Sequence, residues 1–282
     1  MKLVRFGAPG VEKPGILDAN QQLRDASGLV KDWCAEALHP ESLARISGLD
    51  LERLPVVDGE VRLGAPVSQI QKLIGIGLNY ADHAEETGMP IPTEPIVFLK
   101  ASSCICGPFD DIEQPRGSTQ LDWEVELAVV IGKQAKYVSE QDALQHVAGY
   151  TICHDVSERS FQFDRNGQWT KGKSHDGFGP LGPWLVTPDE IHDLDNLSLW
   201  LDVNGERRQT GTTAKMIFSV PKLIAYLSEV MTLYPGDVIA TGTPPGVGVG
   251  MKPPVFLKVG DVVTLGIEGL GEQRQVVRAV DS

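Results

Sequence analysis

The sequence has few cysteines, and it lacks the spacings that would give them a metal or redox role. Its 282 residues include four cysteines, Cys34, Cys104, Cys106 and Cys153, and no two of them form a CxxC pair. The spacing of Cys104 and Cys106 fits neither a zinc knuckle nor a thioredoxin-type motif. We therefore expect four free thiols in a reducing compartment, which predicts a cytoplasmic protein.

Long apolar runs and an excess of positive charge are also missing. No apolar stretch reaches the roughly 20 residues that a membrane-spanning helix needs, and Gly7 and Pro9 interrupt the N-terminus before a signal-peptide core can form. The 25 Lys and Arg residues against 38 Asp and Glu residues give a formal net charge of −13 at pH 7. This charge disfavours nucleic acids and anionic membranes as partners. An anionic substrate would need positive charge placed locally in its site.

The glycine-rich segments lack the residues that would make them nucleotide-binding loops. Gly75-Ile76-Gly77 is followed by Tyr80 where a dinucleotide fingerprint has its third glycine, and no βαβ pattern surrounds it. Residues 241–250 contain two prolines and no Gly-Lys-Ser/Thr. We interpret this second segment as a tight turn after a strand, so neither motif predicts phosphate binding.

What the sequence does contain is a dense series of short apolar segments between glycine and proline turns. Thirty glycines and 19 prolines favour a β-rich fold, and the regular strand–helix alternation of a doubly wound sheet is missing. We therefore predict a mixed α/β, β-rich fold with short helices over residues 141–146 and 220–231. The predicted strands lie at residues 73–78, 96–99, 123–131, 148–153, 184–186, 197–203, 238–241, 262–267 and 273–280.

Residues 1–70 differ in character from the rest of the chain. We predict that they form a small N-terminal accessory domain and that residues 71–282 form the main domain. A hairpin of short strands opens the region, and the apolar spacing over residues 30–47 is typical of a helix. Asp58-Gly59, between two apolar pairs, predicts a second hairpin.

Acidic and apolar residues alternate along the predicted strand that begins near Asp122. Side chains two residues apart share a face of a strand, so Asp122, Glu124 and Glu126 lie together while Trp123 and Val125 face the other way. A solvated sheet edge would explain these acids. A bound divalent cation is the alternative, because it would reverse the repulsion between two carboxylates at this spacing.

A third acid, Asp155, follows the predicted strand over residues 148–153. Three carboxylates without cysteine ligands suit a hard cation, Mg²⁺ or Mn²⁺, with the remaining positions left to water or substrate. Zinc would draw more heavily on His or Cys. His154 is disfavoured as a ligand beside Asp155, because neighbouring residues on a strand point to opposite faces.

Six short motifs follow one another through the rest of the chain. They are Gly77-Leu-Asn-Tyr-Ala-Asp-His83-Ala-Glu-Glu86, Pro95-Ile-Val-Phe-Leu-Lys100, Asp122-Trp-Glu-Val-Glu-Leu-Ala-Val-Val-Ile-Gly132, His154-Asp-Val-Ser-Glu-Arg159, Gly172-Lys173-Ser-His-Asp-Gly-Phe-Gly-Pro-Leu-Gly-Pro183 and Thr241-Gly-Thr-Pro244. Over residues 72–280 the chain resembles the fumarylacetoacetate hydrolase family, and within it the hydrolases of 2,4-diketo-3-deoxy-L-rhamnonate and L-fuconate. The resemblance implies a mixed β-roll core, a homodimer and one Mg²⁺ or Mn²⁺ per subunit.

The resemblance also implies a role for each matching residue. Glu124, Glu126 and Asp155 match the metal ligands; His83 and Glu86 match a His–Glu dyad on a mobile lid; Lys173 and Gln162 match catalytic positions, and Arg159, Thr241 and Lys100 match substrate-binding positions. His83 and Glu86 are three residues apart, so one helical turn brings them together. Two positions depart from the family pattern, Ala101 where proline is common and His175 after Lys173-Ser174.

These residues predict an enzyme that hydrolyses a C–C bond of a 2,4-diketo acid. The predicted partner is thus a small 2-oxo acid substrate. His83, oriented by Glu86, would take a proton from the water that attacks C4. Lys173 and Gln162 would stabilise the resulting oxyanion, and the metal would stabilise pyruvate as it leaves in its enolate form. The products would be pyruvate and a second carboxylic acid.

Two other functions are compatible with parts of the sequence. Decarboxylation of oxaloacetate would use the same metal-stabilised enolate but needs no hydrolytic water. A non-catalytic metal-binding module is the third interpretation. The presence of His83, Glu86 and Lys173 together with all three acids argues against it.

Overall fold

Strands outnumber helices in the computed structural model, which describes residues 1–88 and 90–280. The strands are β1 Lys2–Phe6, β2 Lys13–Leu17, β3 Leu23–Asp25, β4 Leu63–Gly64, β5 Leu73–Gly77, β6 Ile96–Lys100, β7 Ile105–Cys106, β8 Ile112–Gln114, β9 Leu121–Asp122, β10 Val125–Ile131, β11 Val147–His154, β12 Ser157–Glu158, β13 Gly179–Val186, β14 Ser198–Val203, β15 Glu206–Thr212, β16 Val238–Ala240, β17 Val262–Ile267 and β18 Gly271–Ala279. The α-helices are α1 Pro40–Ser47, α2 Ala81–Thr87, α3 Arg159–Phe163, α4 Thr170–Lys173 and α5 Val220–Val230. The predicted mixed α/β, β-rich fold is confirmed.

The largest sheet carries the strands on which the acidic residues lie. Its order is β3-β2-β1-β13-β11-β10-β16-β5-β6, with β4 beside β1 and β7 beside β13. A second sheet has the order β15-β14-β17-β18-β8. Apolar residues from both sheets share one hydrophobic core. Every residue of β10 and β11 is buried, because these two strands are central in the large sheet and both of its faces are covered.

The first 70 residues extend the large sheet. β1 pairs with β13 in antiparallel fashion, with Lys2 opposite Val186, and it pairs with β2 on its other side. The indole of Trp33 is fully buried and donates a hydrogen bond to the carbonyl oxygen of Val4 at 2.9 Å. A domain boundary at residue 70 stays a prediction.

Two local predictions in this region are wrong. The helical pattern over residues 30–47 becomes a helix only from Pro40, because residues before it fold into turns around Trp33. The hairpin around Asp58-Gly59 is replaced by pairing with distant strands. Leu63 in β4 lies opposite Phe6 of β1, and Val56 forms a single bridge with Arg24.

The remaining elements follow the apolar patterns closely. Each of the nine predicted strands overlaps an observed one, and α5 confirms the helix predicted over residues 220–231. The helix predicted over 141–146 is a single 3-10 turn, Ala143–His146. β15 was not predicted, because Gln209 is the one buried residue in an otherwise polar strand.

Among residues 1–88 and 90–280, the helices are all too short or too polar to cross a lipid bilayer. The cytoplasmic location and the homodimer stay predictions.

Candidate active site

A cavity of about 390 Å³ brings most of the predicted site residues together. One part of its wall is polar and contains seven of the ten residues that the sequence singles out, namely His83, Glu86, Glu124, Glu126, Arg159, Gln162 and Lys173. The elements that supply them are distant in sequence: α2, the start of β10, α3 and α4. The cavity is therefore the candidate active site.

The three predicted metal ligands form one buried cluster. Antiparallel pairing of β10 with β11 places Val125 opposite His154, and the N–H of Asp155 donates to the carbonyl oxygen of Glu124 at 3.0 Å. Carboxylate oxygens of Glu124, Glu126 and Asp155 all lie within 4.8 Å of one another. The three residues are 6%, 1% and 0% exposed, so the interpretation of these acids as a solvated sheet edge is wrong.

The electrostatics of this cluster fit a hard divalent cation. Burial and the charges of Asp155 and Glu124 raise the pKa of Glu126 well above its ordinary value, and the carboxylate accepts a hydrogen bond from the N–H of Gly242 at 2.9 Å. A divalent cation among the three carboxylates would offset this repulsion, and three oxygen ligands leave room for water or substrate. Glu124, Glu126 and Asp155 are thus the residues that could hold Mg²⁺ or Mn²⁺.

Cationic side chains surround two of the three acids. Lys173 Nζ lies 2.8 Å from Glu124 Oε2 and 2.7 Å from Asp155 Oδ2. Lys100 Nζ contacts the other oxygen of Asp155. Burial acts to raise the pKa of Glu124, but the charges of Lys173 and Arg159 outweigh burial and lower it to about 2. The local positive charge that an anionic substrate would need is therefore present, although the chain as a whole is acidic.

Arg159 is held by protein oxygens through all three of its nitrogens. Its Nε donates to Asp122 Oδ2 at 2.8 Å, its Nη2 to Glu124 Oε1 at 2.6 Å and its Nη1 to Gln162 Oε1 at 3.0 Å. The carboxylate of Asp122 also accepts from the N–H groups of Gly248 and Val249 at 2.7 and 3.0 Å. Asp122 was not predicted as a site residue, although it opens the acidic face of the strand. A direct contact between Arg159 and the substrate stays a prediction.

His83 and Glu86 form the predicted pair on α2. His83 Nδ1 lies 3.1 Å from Glu86 Oε2, and His83 is 7% exposed. The carboxylate of Glu86 also accepts a hydrogen bond from the N–H of Gly246 at 3.0 Å. Gly246 has a φ of +103°, and a Cβ there would lie 1.9 Å from the carbonyl oxygen of Arg208. The segment over residues 241–250 thus fixes carboxylates of the site with its backbone N–H groups.

Four residues considered from sequence lie outside the cavity wall, and one of them, Asp155, is buried next to Glu124 and Glu126. The hydroxyl of Thr241 donates to the carbonyl oxygen of Leu127 at 2.9 Å, and Thr243 lines the cavity in its place. Lys100 is buried behind Asp155. His175 packs between two aromatic rings at centroid distances of 5.4 and 5.3 Å. The substrate contacts of Thr241 and Lys100 stay predictions.

The lid prediction falls partly outside the residues that the structure describes. The segment predicted to be mobile runs from residue 82 to residue 92, and Met89 lies outside the described residues. Its first part is the well-formed helix α2, which ends at Gly88 with a φ of +67°. Mobility of the lid stays a prediction.

The cavity also contains residues that sequence reasoning missed. Its apolar wall is formed by Ile76, Leu78, Phe98, Phe163, Trp169, Val249 and Met251. The rings of Phe98 and Trp169 lie with centroids 5.5 Å apart. Phe98 stands in one of the motifs quoted above, which was a usable signal, whereas the short segment around Trp169 has no periodic pattern that would have pointed to it.

Comparison with known proteins places this site in a family. The family model described as fumarylacetoacetate (FAA) hydrolase C-terminal matches residues 72–278. A Burkholderia multivorans protein whose name assigns it provisionally to the hydrolases is 60% identical over 280 residues, which is 99% of each chain.

Solved structures agree with this placement. A fumarylacetoacetate hydrolase from psychrophilic Exiguobacterium antarcticum has a TM-score of 0.86 at 39% identity, over 99% of this chain and 100% of the other. A probable 2-hydroxyhepta-2,4-diene-1,7-dioate isomerase from Mycobacterium abscessus has a TM-score of 0.85 at 32% identity. A maleylpyruvate hydrolase from Sphingobium sp. SYK-6, in complex with a manganese(II) ion and pyruvate, has a TM-score of 0.83 at 30% identity. The last two matches cover the whole of both chains. The chain belongs to the fumarylacetoacetate hydrolase family.

Proposed function

We propose that this protein is a metal-dependent hydrolase that cleaves a C–C bond of a 2,4-diketo acid and releases pyruvate and a second carboxylic acid. The observation that carries the proposal is one cavity lined by Glu124, Glu126 and the His–Glu pair, with the buried carboxylate of Asp155 within 4.8 Å of those of Glu124 and Glu126. A similar protein that is named maleylpyruvate hydrolase binds manganese and pyruvate. This likeness supports an acylpyruvate-type substrate.

The head of the substrate would bind beside the carboxylate triad. Glu124, Glu126 and Asp155 would hold Mg²⁺ or Mn²⁺, which supplies Lewis acidity toward negative charge developing on the 2-oxo acid. Lys173 lies between Glu124 and Asp155, so its ammonium group adds positive charge next to the same head. Arg159 keeps Glu124 and Gln162 in place through its two terminal nitrogens.

His83 is the residue placed to activate water. Its Nδ1 is directed to the carboxylate of Glu86, so a neutral ring that donates from Nδ1 presents Nε2 as the proton acceptor. A carboxylate partner also stabilises the imidazolium that forms when the proton is taken up. Gln162 Oε1 accepts from Arg159, which leaves the amide nitrogen as the end that can donate to an oxyanion at C4.

Two finer assignments belong to the same proposal. The substrate is either an acylpyruvate or a 2,4-diketo-3-deoxy sugar acid such as the L-rhamnonate and L-fuconate derivatives. Oxaloacetate decarboxylase is the alternative activity, because the acidic cluster and Lys173 would serve an enolate formed by loss of carbon dioxide as well as one formed by hydrolysis.

His83→Ala separates hydrolysis from decarboxylation. Without the base, diketo acid hydrolysis should fall by about 10²–10⁴, the usual contribution of general base catalysis. Oxaloacetate decarboxylation needs no water nucleophile and should persist if the protein has that activity. Lys173→Ala should lower both reactions, because its charge is next to both anionic intermediates. The measurement is pyruvate release from oxaloacetate and from diketo acids at saturating Mg²⁺.

The same assay decides the proposal as a whole. Pyruvate release from a diketo acid should disappear with EDTA and return with Mg²⁺ or Mn²⁺. Hydrolysis at the wild-type rate in His83→Ala would mean that the base is another group. A change in the absorbance of a diene substrate without any pyruvate release would identify an isomerase and contradict hydrolysis.

A further inference from the structure

The apolar part of the cavity wall begins directly beside the polar head of the site. The ammonium group of Lys173 lies 5.2 Å from the centroid of the Phe98 ring. The ring centroids of Phe98 and Trp169 are 5.5 Å apart. Those of Trp169 and Phe163 are 6.2 Å apart, and these two rings meet edge-on. Phe98, Trp169 and Phe163 therefore form a row of neighbouring rings that includes a ring beside Lys173, and we call this row the aromatic wall.

Two glycines in β5 make room for this aromatic wall. A Cβ at Gly77 would lie 2.5 Å from Trp169 Cζ3, and a Cβ at Gly75 would lie 2.2 Å from Phe98 Cζ. Any side chain at these positions would collide with the rings in their present positions. The Gly75-Ile76-Gly77 sequence, which fails as a nucleotide motif, thus has a spatial role in shaping the wall of the site.

Few polar groups line the cavity outside its polar wall. Among the described lining residues outside the polar wall, the polar side-chain groups are those of Thr243 and Lys252 and the indole N–H of Trp169. The Thr243 hydroxyl donates to the carbonyl oxygen of Val125 at 2.9 Å and accepts from Gln209 at 2.8 Å. Lys252 is exposed. A polyhydroxylated chain placed here would lose hydrogen bonds to water that the wall does not replace.

We propose that the substrate is a 2,4-diketo acid whose acyl end is apolar, aryl or branched alkyl, and that this end packs against Phe98, Phe163 and Trp169. The inference rests on the proposed function, because the diketo head fixes which end faces the aromatic wall. Flat aromatic rings bury large apolar area and favour tilted or edge-on partners. A sugar-derived tail with several hydroxyls should be disfavoured on the order of 100-fold.

The first test compares diketo acids that share a head and differ in the tail. With saturating Mg²⁺, kcat/KM for pyruvate release should be highest for a phenyl tail, lower for a tail ending in a carboxylate and lowest for a polyhydroxylated tail. A preference for the polyhydroxylated tail overturns the inference. So does a preference for the carboxylate tail that is lost in Lys252→Met, because Lys252 would then be the group that selects the substrate.

A binding measurement separates this inference from the proposed function. 2-Oxo acids with the same three tails but no carbonyl at C4 cannot be hydrolysed, and their affinities in the presence of Mg²⁺ can be measured by calorimetry. If no diketo acid releases pyruvate, the proposed hydrolysis fails, and the order of these affinities still decides the inference. Equal affinities for the phenyl and polyhydroxylated tails overturn it.

Variants of the aromatic wall test the residues themselves. Trp169→Ala should lower the ratio of kcat/KM for the phenyl substrate to that for acetylpyruvate about tenfold, and Trp169→Phe should restore part of it. Phe163→Ala should lower the same ratio, and its half-exposed side chain makes it the safer substitution for folding. An unchanged ratio in both alanine variants overturns the inference.

Trp200→Ala is the matched control for these variants. Trp200 also packs over a glycine, since a Cβ at Gly266 would lie 2.7 Å from its Nε1. It belongs to β14 of the second sheet and is not among the described residues that line the cavity. Its substitution should leave the ratio at the wild-type value. A drop equal to that of Trp169→Ala would show a general effect of losing a large side chain.

Discussion

Glu124 and Glu126 are two residues apart on one strand, yet their surroundings drive their ionisation in opposite directions. Glu124 faces Lys173 and Arg159, and these charges hold its pKa at about 2. Burial and the charges of the two other acids raise the pKa of Glu126 well above its ordinary value. The side chain that lacks a cationic contact among the described residues is therefore the one whose charge a bound metal would stabilise most.

Glu126→Gln tests this assignment at the level of one side chain. Glutamine removes a buried charge that the two neighbouring acids repel, and it can still accept the hydrogen bond from Gly242, so the metal-free variant should be at least as stable as the metal-free wild type. Saturating Mg²⁺ at 100 times its Kd should stabilise the wild type by about 2.7 kcal/mol. The variant should lose most of that stabilisation, as measured by urea unfolding with EDTA or Mg²⁺.

Glu124→Gln is the contrasting change for the same experiment. It leaves Lys173 and Arg159 buried beside a neutral amide, so it should destabilise the metal-free protein by about 1–3 kcal/mol. Equal metal-induced stabilisation in the wild type and Glu126→Gln would show that the cation binds elsewhere.

At the residue scale, strand periodicity predicts that Glu124 and Glu126 share a face, whereas the His–Glu pair is singled out by the family resemblance and helical spacing explains only why its two side chains meet. The sequence does not predict that Asp122 holds Arg159 or that Trp169 joins the cavity. Both contacts depend on chain segments brought together by sheet pairing and by loops, for which spacing along the sequence carries no signal.

At the scale of elements, the glycine- and proline-rich segment over residues 241–250 connects α2 to the rest of the site. Its N–H at Gly246 bonds Glu86 of α2, and its N–H groups at Gly248 and Val249 bond Asp122. Backbone donors of a tight turn commonly bind anions. Here the anions are carboxylates of the protein itself.

Glu86→Ala should loosen α2. The change removes the hydrogen bond to Gly246 and the partner of His83, so amide exchange in residues 81–88 and at Gly246 should become faster. Glu85→Ala is the control, because Glu85 lies on the same helix with an exposed side chain. Equal exchange rates in the two variants would show that the hydrogen bond between Glu86 and Gly246 does not hold α2 in place.

The wrong predictions at this scale have a common cause. The turn signal at Asp58-Gly59 and the helical spacing before Pro40 are local preferences. Pairing of β4 with β1 and burial of Trp33 override them. Strands with strong apolar patterns, such as β10 and β17, were predicted because their local preference and their tertiary environment agree.

At the scale of the whole molecule, a buried polar network joins the two sheets. His154 Nδ1 of β11 lies 3.0 Å from Gln275 Oε1 of β18, and Gln273 Nε2 donates to the carbonyl oxygens of Ile152 and Gly182 at 2.9 and 3.1 Å. Such a network favours one packing of the sheets, because another packing would break these buried hydrogen bonds, although His154 Nε2 has no hydrogen-bond partner among the described residues. The sequence did not predict it, since the paired residues are 91 to 121 positions apart.

This network makes stability depend on pH through His154. Burial lowers the pKa of His154 to about 4, whereas an unfolded histidine titrates near about 6.5. Between these values the unfolded chain takes up a proton at this residue and the folded protein does not. The contribution of His154 to the free energy of unfolding should therefore fall as the pH drops from about 6.5 to about 4.

His154→Gln should remove that part of the pH dependence, because glutamine does not titrate and its amide can still pair with Gln275. The difference in the free energy of unfolding between the wild type and the variant should change by up to about 3 kcal/mol across this pH window. Urea unfolding of both proteins in EDTA at several pH values measures it, since the carboxylates of the site then contribute equally to both curves. His192→Gln, at an exposed histidine, should follow the wild type throughout. Parallel curves for the wild type and His154→Gln would show that His154 does not link the packing of the two sheets to acid stability.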